Sequence, residues 1–250
     1  MNLISIITAC LLSLIVSIFG VSVGGSSLIT IPLLIWLGMT SKNAVATNMF
    51  ALIFLSASGV IGFRRQKEPA YYKIIAVFSA LTICGSFIGA HLILAINKEM
   101  LKTIIAIMVC VVGCFLLFKK DLGVREEKGG ISKAKLLVGA LLTFILGIYG
   151  GFFSAGYVTL LSYVLIFTLG LNFLQAAFIT KIFNTFSSFA ACIFFYYHGL
   201  IDFSIGIPLA VFMSLGALLG AKLAVSKGNL WVRNLFIVSA IVLAVKLLLF

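Results

Sequence analysis

Acidic residues are scarce in this chain: six Asp and Glu stand against eighteen Lys and Arg in 250 residues, and charged residues of both signs make up only 10%. Soluble domains carry about 25% charged residues, so this composition cannot make a polar shell. Glu68, Glu99, Asp121, Glu126, Glu127 and Asp202 all fall between apolar runs or at their edges. With no carboxylate inside a run, a cation exchanger built on membrane-embedded acids is disfavoured. Histidine occurs twice, and the five cysteines (Cys10, Cys84, Cys110, Cys114, Cys192) lie in apolar runs without CxxC spacing. They read as packing thiols, and neither a metal site nor a cofactor is expected. The N-terminus also lacks the basic opening and small-residue cleavage site of a signal peptide, so the first apolar run reads as a span.

What is present is apolar. Hydrophobic residues are 63% of the chain and the mean hydropathy is +1.28, which makes a lipid bilayer the solvent. Ten segments are expected at 3–20, 26–39, 43–63, 73–96, 101–118, 134–151, 156–171, 173–197, 203–225 and 231–249. A crossing needs about 20 residues. Segments two and seven are shorter and follow glycines, so each is either a short tilted span or a re-entrant helix. The fold class is therefore an all-α polytopic membrane protein.

The net charge of +12 does not imply nucleic acid, because the basic residues sit in short loops. Arg64, Arg65, Lys67 and Lys73 form one cluster; Lys119, Lys120, Arg125, Lys128, Lys133 and Lys135 form another; Lys222, Lys227 and Arg233 form a third. The positive-inside rule places all three in the cytoplasm. The loop from His198 to Asp202 has no Lys or Arg and reads as external.

The two halves align with each other. Gly24-Gly25-Ser26-Ser27 meets Gly156-Tyr157-Val158-Thr159, Ala46-Thr47-Asn48 meets Ile179-Thr180-Lys181, and Gly85-x-x-x-Gly89 meets Gly216-x-x-x-Gly220. Equivalent loops differ in charge, so the halves are expected to lie in opposite orientations: residues 1–120 as one repeat, 121–133 as a cytoplasmic linker and 134–250 as the other. Inverted repeats of this kind mark secondary transporters, with a site where the repeats meet. The GxxxG pairs read as close helix contacts, internal or between subunits of a homo-oligomer.

Three features suggest where a ligand would sit. Glycines before segments two and seven allow the backbone to break inside the membrane, which is tolerated only in protein or beside a watery cavity. The helix that restarts there points free N–H groups and a positive dipole end at the cavity, which suits an anion. Lys181 lies nine residues into an apolar run, and its repeat partner is Asn48. An ionisable residue at that depth is costly and indicates function. The candidate binding set is Gly24, Gly25, Ser26, Ser27, Thr47, Asn48, Gly156, Tyr157, Thr180, Lys181 and Asn184, with Asn48 and Lys181 expected to meet. The partners are a small anion and the bilayer, and the chain reads as a carrier or an anion channel. An intramembrane serine hydrolase using Ser154 with His198 or His91 is a remoter alternative, since a nucleophile needs a base beside it. His91 reads as a residue near a helix end rather than a metal ligand.

The run from Gly20 to Pro32, then Gly38 and Ala44-Val-Ala-Thr-Asn48, resembles the first half of the TauE/SafE sulfite exporter family. Thr180-Lys181-Ile-Phe-Asn184, Leu215 to Lys222 and Ser226-Lys227-Gly228 resemble its second half, and the C-terminal stretch is similar to the YfcA-like branch of membrane transporters. The resemblance covers nearly the whole chain. It implies a bacterial inner-membrane transporter in a family with members that move sulfite, sulfoacetate or related sulfur-containing anions. Ser26 and Ser27 stand where the family more often has glycine, and Tyr157-Val158 replaces small residues; these departures fall at the candidate site.

Overall fold

The computed structural model describes residues 3–64, 72–95, 97, 132–235 and 238. The described residues form eight helices long enough to name: α1 Leu3–Val23, α2 Ser26–Trp36, α3 Ser41–Gly62, α4 Tyr72–Ala95, α5 Lys133–Phe152, α6 Tyr157–Leu169, α7 Phe173–Tyr197 and α8 Phe203–Lys227. Residues 229–235 are also helical, and no strand occurs among the described residues. The expected segment 101–118, most of segment 231–249 and linker residues 121–131 lie outside them.

Local chemistry sets the helix starts. Thr40 caps α3 by accepting from Asn43 N, Ser132 caps α5 by accepting from Lys135 N, and Asp202 caps α8 by accepting from Ser204 N. Asn172 and Gln175 form a reciprocal capping box at α7, which satisfies two N–H groups that the helix itself leaves unpaired. The caps place each start within a residue or two of the position expected from the hydropathy pattern.

Six helices (α1, α3, α4, α5, α7 and α8) are long and apolar enough to cross a membrane, whereas α2 and α6 have only 11 and 13 residues. At 1.5 Å per residue these short helices are about 16 and 20 Å long, against a hydrocarbon core of about 30 Å. Large apolar side chains such as Ile15, Ile61, Val77, Leu141, Phe189 and Leu219 remain exposed. They form the surface that lipid covers. Trp36 and Tyr197, 79% and 81% exposed at the ends of α2 and α7, suit the headgroup boundary.

Close contacts fix the helix directions. Gly216 and Gly220 of α8 meet Leu14 and Ile18 of α1, while Gly62 of α3 meets Ala221 and Gly206 meets Thr47, so α1, α3 and α8 run one way. Gly85 and Gly89 of α4 meet Phe144 and Ile148 of α5 in the same order. Ser86 of α4 donates to the Ser187 carbonyl, and His91 stacks on Phe194. Helices α4, α5 and α7 are therefore mutually parallel. Asn184 pairs with Ser56 and Lys181 packs on Gly59, which makes α7 antiparallel to α3. Each long helix of the first half thus runs opposite to its expected counterpart in the second.

One end of the bundle gathers Arg64, Lys73, Lys133, Lys135, Lys222 and Lys227 at the ends of α3, α4, α5 and α8. The other carries Lys42, His198 and Asp202, with Lys42 Nζ donating to the Leu94 carbonyl at 3.1 Å. The sequence left α2 and α6 as either full spans or re-entrant helices. The structure makes each a half-length return: α2 leads to α3 at the end remote from the basic clusters, and α6 leads to α7 at the basic end.

The GxxxG motifs act inside the chain. A Cβ at Gly89 would lie 1.9 Å from the Ile148 carbonyl oxygen, and one at Gly220 1.9 Å from that of Ile18. The last long helix described in each half therefore locks onto the first helix of the other half, backbone against backbone. Gly89→Leu or Gly220→Leu should cost at least about 1–3 kcal/mol through overpacking, seen as a lower Tm in detergent, whereas Leu215→Ala on the exposed face of α8 should leave Tm nearly unchanged. A cysteine placed at Gly199 should react with a membrane-impermeant maleimide from outside intact cells. One placed at Lys227 should react only after permeabilisation; the reverse pattern would invert the orientation expected from the basic clusters.

Candidate functional site

Two glycine breaks meet in the interior. Helix α1 stops at Val23 and α2 restarts after Gly25, whose backbone is left-handed at φ 84°, ψ −3°. Helix α5 stops at Phe152 and α6 restarts after Gly156, with nearly the same conformation at φ 79°, ψ −9°. Neither helix start has a side-chain cap. Glycine reaches this region without the Cβ penalty that other L-residues incur, which is why the equivalent residue in each half is glycine. Gly24, φ 81°, is constrained a second way: a Cβ there would lie 2.9 Å from both Thr159 N and Thr159 Oγ1.

Hydrogen bonds stitch the breaks together. Thr159 Oγ1, from the first turn of α6, donates to the Val23 carbonyl at 2.7 Å. Ser27 Oγ lies 3.1 Å from Ser154 Oγ. Asn48 Nδ2 donates to Ser27 Oγ at 3.0 Å, and Asn48 Oδ1 accepts from Thr30 Oγ1. The result is a buried cluster of Ser27, Thr30, Asn48 and Ser154 drawn from α2, α3 and the second break. Ser154 is the one non-glycine residue among those described with a positive φ, 52°. Such strain collects at functional positions.

Ser154 and Thr30 are missing from the set expected as ligand contacts. The sequence marked Ser154 only as a nucleophile, and Thr30 is an ordinary threonine inside an apolar run. The spacing Ser26-Ser27-x-x-Thr30 could have revealed it, since it puts hydroxyls on adjacent turns of one helix. The hydroxyl of Ser154 bonds Ser27, whereas His91 Nδ1 and His198 Nδ1 bond the carbonyls of Phe87 and Phe194, four residues before each.

Lys181 is 1% exposed, and its aliphatic stem packs across Gly59 of α3, with Val21 of α1 against the same glycine. Among the described residues its Nζ has no hydrogen-bond partner and no carboxylate pairs with it. Asn184, one turn further along α7, donates to Ser56 Oγ at 2.6 Å. The hydroxyls of Ser22, next to Val21 on α1, and of Ser188, about two turns beyond Lys181 on α7, are buried without a partner among the described residues.

The expected meeting of Asn48 and Lys181 is not what the packing gives. Asn48 faces the α2 break, while Lys181 lies against Gly59, eleven residues further along α3 and so about 16 Å away. Antiparallel packing of α3 on α7 places equivalent positions at opposite ends of the contact. Thr47 and Thr180 also turn elsewhere. Thr47 Oγ1 accepts from Asp202 N, holding the loop before α8, and Thr180 Oγ1 donates to the carbonyls of Ala176 and Ala177 in its own helix. Tyr157 is fully buried with its ring over Gly150. Ser26 is buried against Gly20, and Gly156 has open space where a Cβ would point.

An all-helical bundle of long apolar helices, with two half-length helices whose broken ends meet inside it, defines a polytopic membrane protein. Residues 9–247 match the model of the Sulfite exporter TauE/SafE family. The chain belongs to that family and is one of its membrane transporters. It is 30% identical over 228 residues to the "Probable membrane transporter protein" of Haemophilus influenzae, covering 90% of this chain and 87% of that protein. It is 29% identical to the "Probable membrane transporter protein YfcA" of Escherichia coli K12, covering 90% and 82%. Against the "Probable membrane transporter protein ORF9" of a Sinorhizobium species, identity is 25%, covering 90% and 85%. No solved structure matches the chain.

The crossing of the two breaks predicts a ranking of glycine substitutions. Gly156→Ala meets no atom and carries only the left-handed backbone penalty, about 1–2 kcal/mol. Gly24→Ala adds a collision with the Thr159 backbone, about 1–3 kcal/mol more. Gly24→Ala should therefore lower the Tm of the purified protein clearly further, and equal shifts would mean that the breaks do not touch.

Proposed function

We propose that the chain is a secondary transporter that carries a small anion across the bacterial inner membrane by alternating access between two inverted halves. The class favoured is sulfite, an organosulfonate or a related sulfur-containing anion. The observation that carries this reading is Lys181: a buried amine with no acidic partner among the described residues, reached from the same bundle interior as two uncapped helix starts. Leaving a buried charge uncompensated costs several kcal/mol, more than the roughly 1 kcal/mol of an ordinary hydrogen bond. An anion arriving beside Lys181 removes that cost. A cation would add to it.

The ligand path runs between two half-sites rather than through one. Lys181, with Asn184 and the unpaired hydroxyls of Ser22 and Ser188, forms the half-site nearer the basic end. The hydroxyl and amide cluster of Ser27, Thr30, Asn48 and Ser154 forms the other, and the crossed breaks lie between them. Their donors suit a sulfur oxyanion, whose several oxygens each accept hydrogen bonds. Because α4 clamps α5 and α8 clamps α1 through Gly contacts, the halves interlock. Access therefore changes by rearrangement of the short helices and their breaks, which are the elements least clamped by backbone contact.

Reconstituted protein should show saturable uptake of sulfite or an organosulfonate, with flux at least about tenfold lower in Lys181→Ala, the equivalent of losing about 1.4 kcal/mol. Asn48→Leu should reduce flux at comparable protein stability. Normal flux in both variants would discard these half-sites, and unitary conductance in planar bilayers would replace the carrier by a channel. Thermal shifts measured with sulfite, an organosulfonate and a carboxylate would identify the ligand class. A shift with the carboxylate alone would reject the sulfur-anion assignment.

A further inference from the structure

A groove apart from the anion path lies on the surface of the described residues at the basic end. The first turns of α4 and α5 run side by side and enclose a groove of about 430 Å³. Lys73 and Lys133 stand at its mouth, and Ile74, Val77, Leu136, Leu137 and Ala140 line it further in. On α5 the lining residues follow helical spacing, with Lys133, Leu136, Leu137 and Ala140 falling on one stripe. Lys73 and Val77 do the same on α4. From Lys133 to Ala140 the groove descends about 10 Å along the helix, from headgroup level into the depth of acyl chains. Leu137 is 73% exposed and Val77 57%, so no described part of the chain covers these apolar groups.

Among the described residues, charge is one-sided at the mouth. Neither α4 nor α5 has an acidic residue in its first turn. Neither lysine side chain forms a hydrogen bond or ion pair with a described residue. Two ammonium groups at headgroup level above an apolar slot fit one kind of molecule in both parts. Its anionic phosphate would lie between the lysines, and its acyl chain would fill the groove. Basic pockets between transmembrane helices on the basic side bind anionic headgroups for this reason. The apolar floor favours a lipid over a free phosphate ion, which would leave Leu136, Leu137 and Val77 unoccupied.

We propose that the α4–α5 groove binds an anionic phospholipid, of the phosphatidylglycerol or cardiolipin kind, through Lys73 and Lys133. The occupant would bridge α4 to α5, the same pair that the Gly85 and Gly89 contacts hold together across the two halves. The site is separate from the anion path and does not depend on the identity of the transported anion.

The test uses the whole purified protein in detergent. Lipid retention is measured by native mass spectrometry and thermal shift with phosphatidylglycerol, phosphatidylcholine and inorganic phosphate. The wild type should retain phosphatidylglycerol over phosphatidylcholine and should not respond to phosphate. Lys73→Gln with Lys133→Gln should weaken that retention by on the order of tenfold, while Lys222→Gln with Lys227→Gln at the same end should leave it intact. Leu137→Trp, which fills the groove and keeps both lysines, should also reduce it. Equal retention of the two lipids, a comparable shift with phosphate, or equal losses in the two double-lysine variants would overturn the proposal.

Discussion

Backbone polar groups inside a bilayer have no water to turn to, and that constraint organises this molecule. A helix can end within the hydrocarbon region only where other protein groups receive the exposed ends. Among the described residues, two helices break in the bundle interior, after Val23 and Phe152. Each break contributes to the other's solution: Thr159 donates to the Val23 carbonyl, and Ser27 pairs with Ser154. The breaks are mutually dependent, because either one alone would leave unpaired groups in an apolar surround. The long helices can be read as a frame that brings them together.

Small residues make that frame possible. Lipid tails are as apolar as the helix surfaces they cover, so there is little hydrophobic gain in helix association and close packing must supply it. Gly85, Gly89, Gly216 and Gly220 let α4 approach α5 and let α8 approach α1 until backbone touches backbone. These contacts cross between the halves. Sequence repeats of this kind suggest two bodies, but the packing gives one interlocked bundle, with the short broken helices held in the middle.

Polarity is spent sparingly within this bundle, which makes its uses informative. Asn184 is matched by Ser56, and Asn48 by Ser27 and Thr30. Lys181 differs, with a buried amine that no described residue matches. The buried hydroxyls of Ser22 and Ser188 also lack partners among the described residues, which leaves a cation and two hydroxyls for a ligand to meet. Both the sign of the proposed ligand and its position follow from that imbalance.

Much of this was legible in the chain itself. Hydropathy located the described helices, glycines marked both breaks, and the described members of the basic clusters gather at one end as loop charge required. Lys181 stood out because a lysine deep in an apolar run is costly wherever the helix points. Ser154 and Thr30 were harder to see, since a hydroxyl in an apolar run means little until a partner faces it. The distance between Asn48 and Lys181 could not be read at all, and for α2 and α6 the sequence left a short tilted span and a re-entrant helix as equal alternatives. Sequence records which residues are equivalent and how polar each one is, because those properties are local. Which residues touch depends on helix direction and register, and the antiparallel packing of α3 against α7 sends equivalent positions to opposite ends. Only the tertiary structure could decide that.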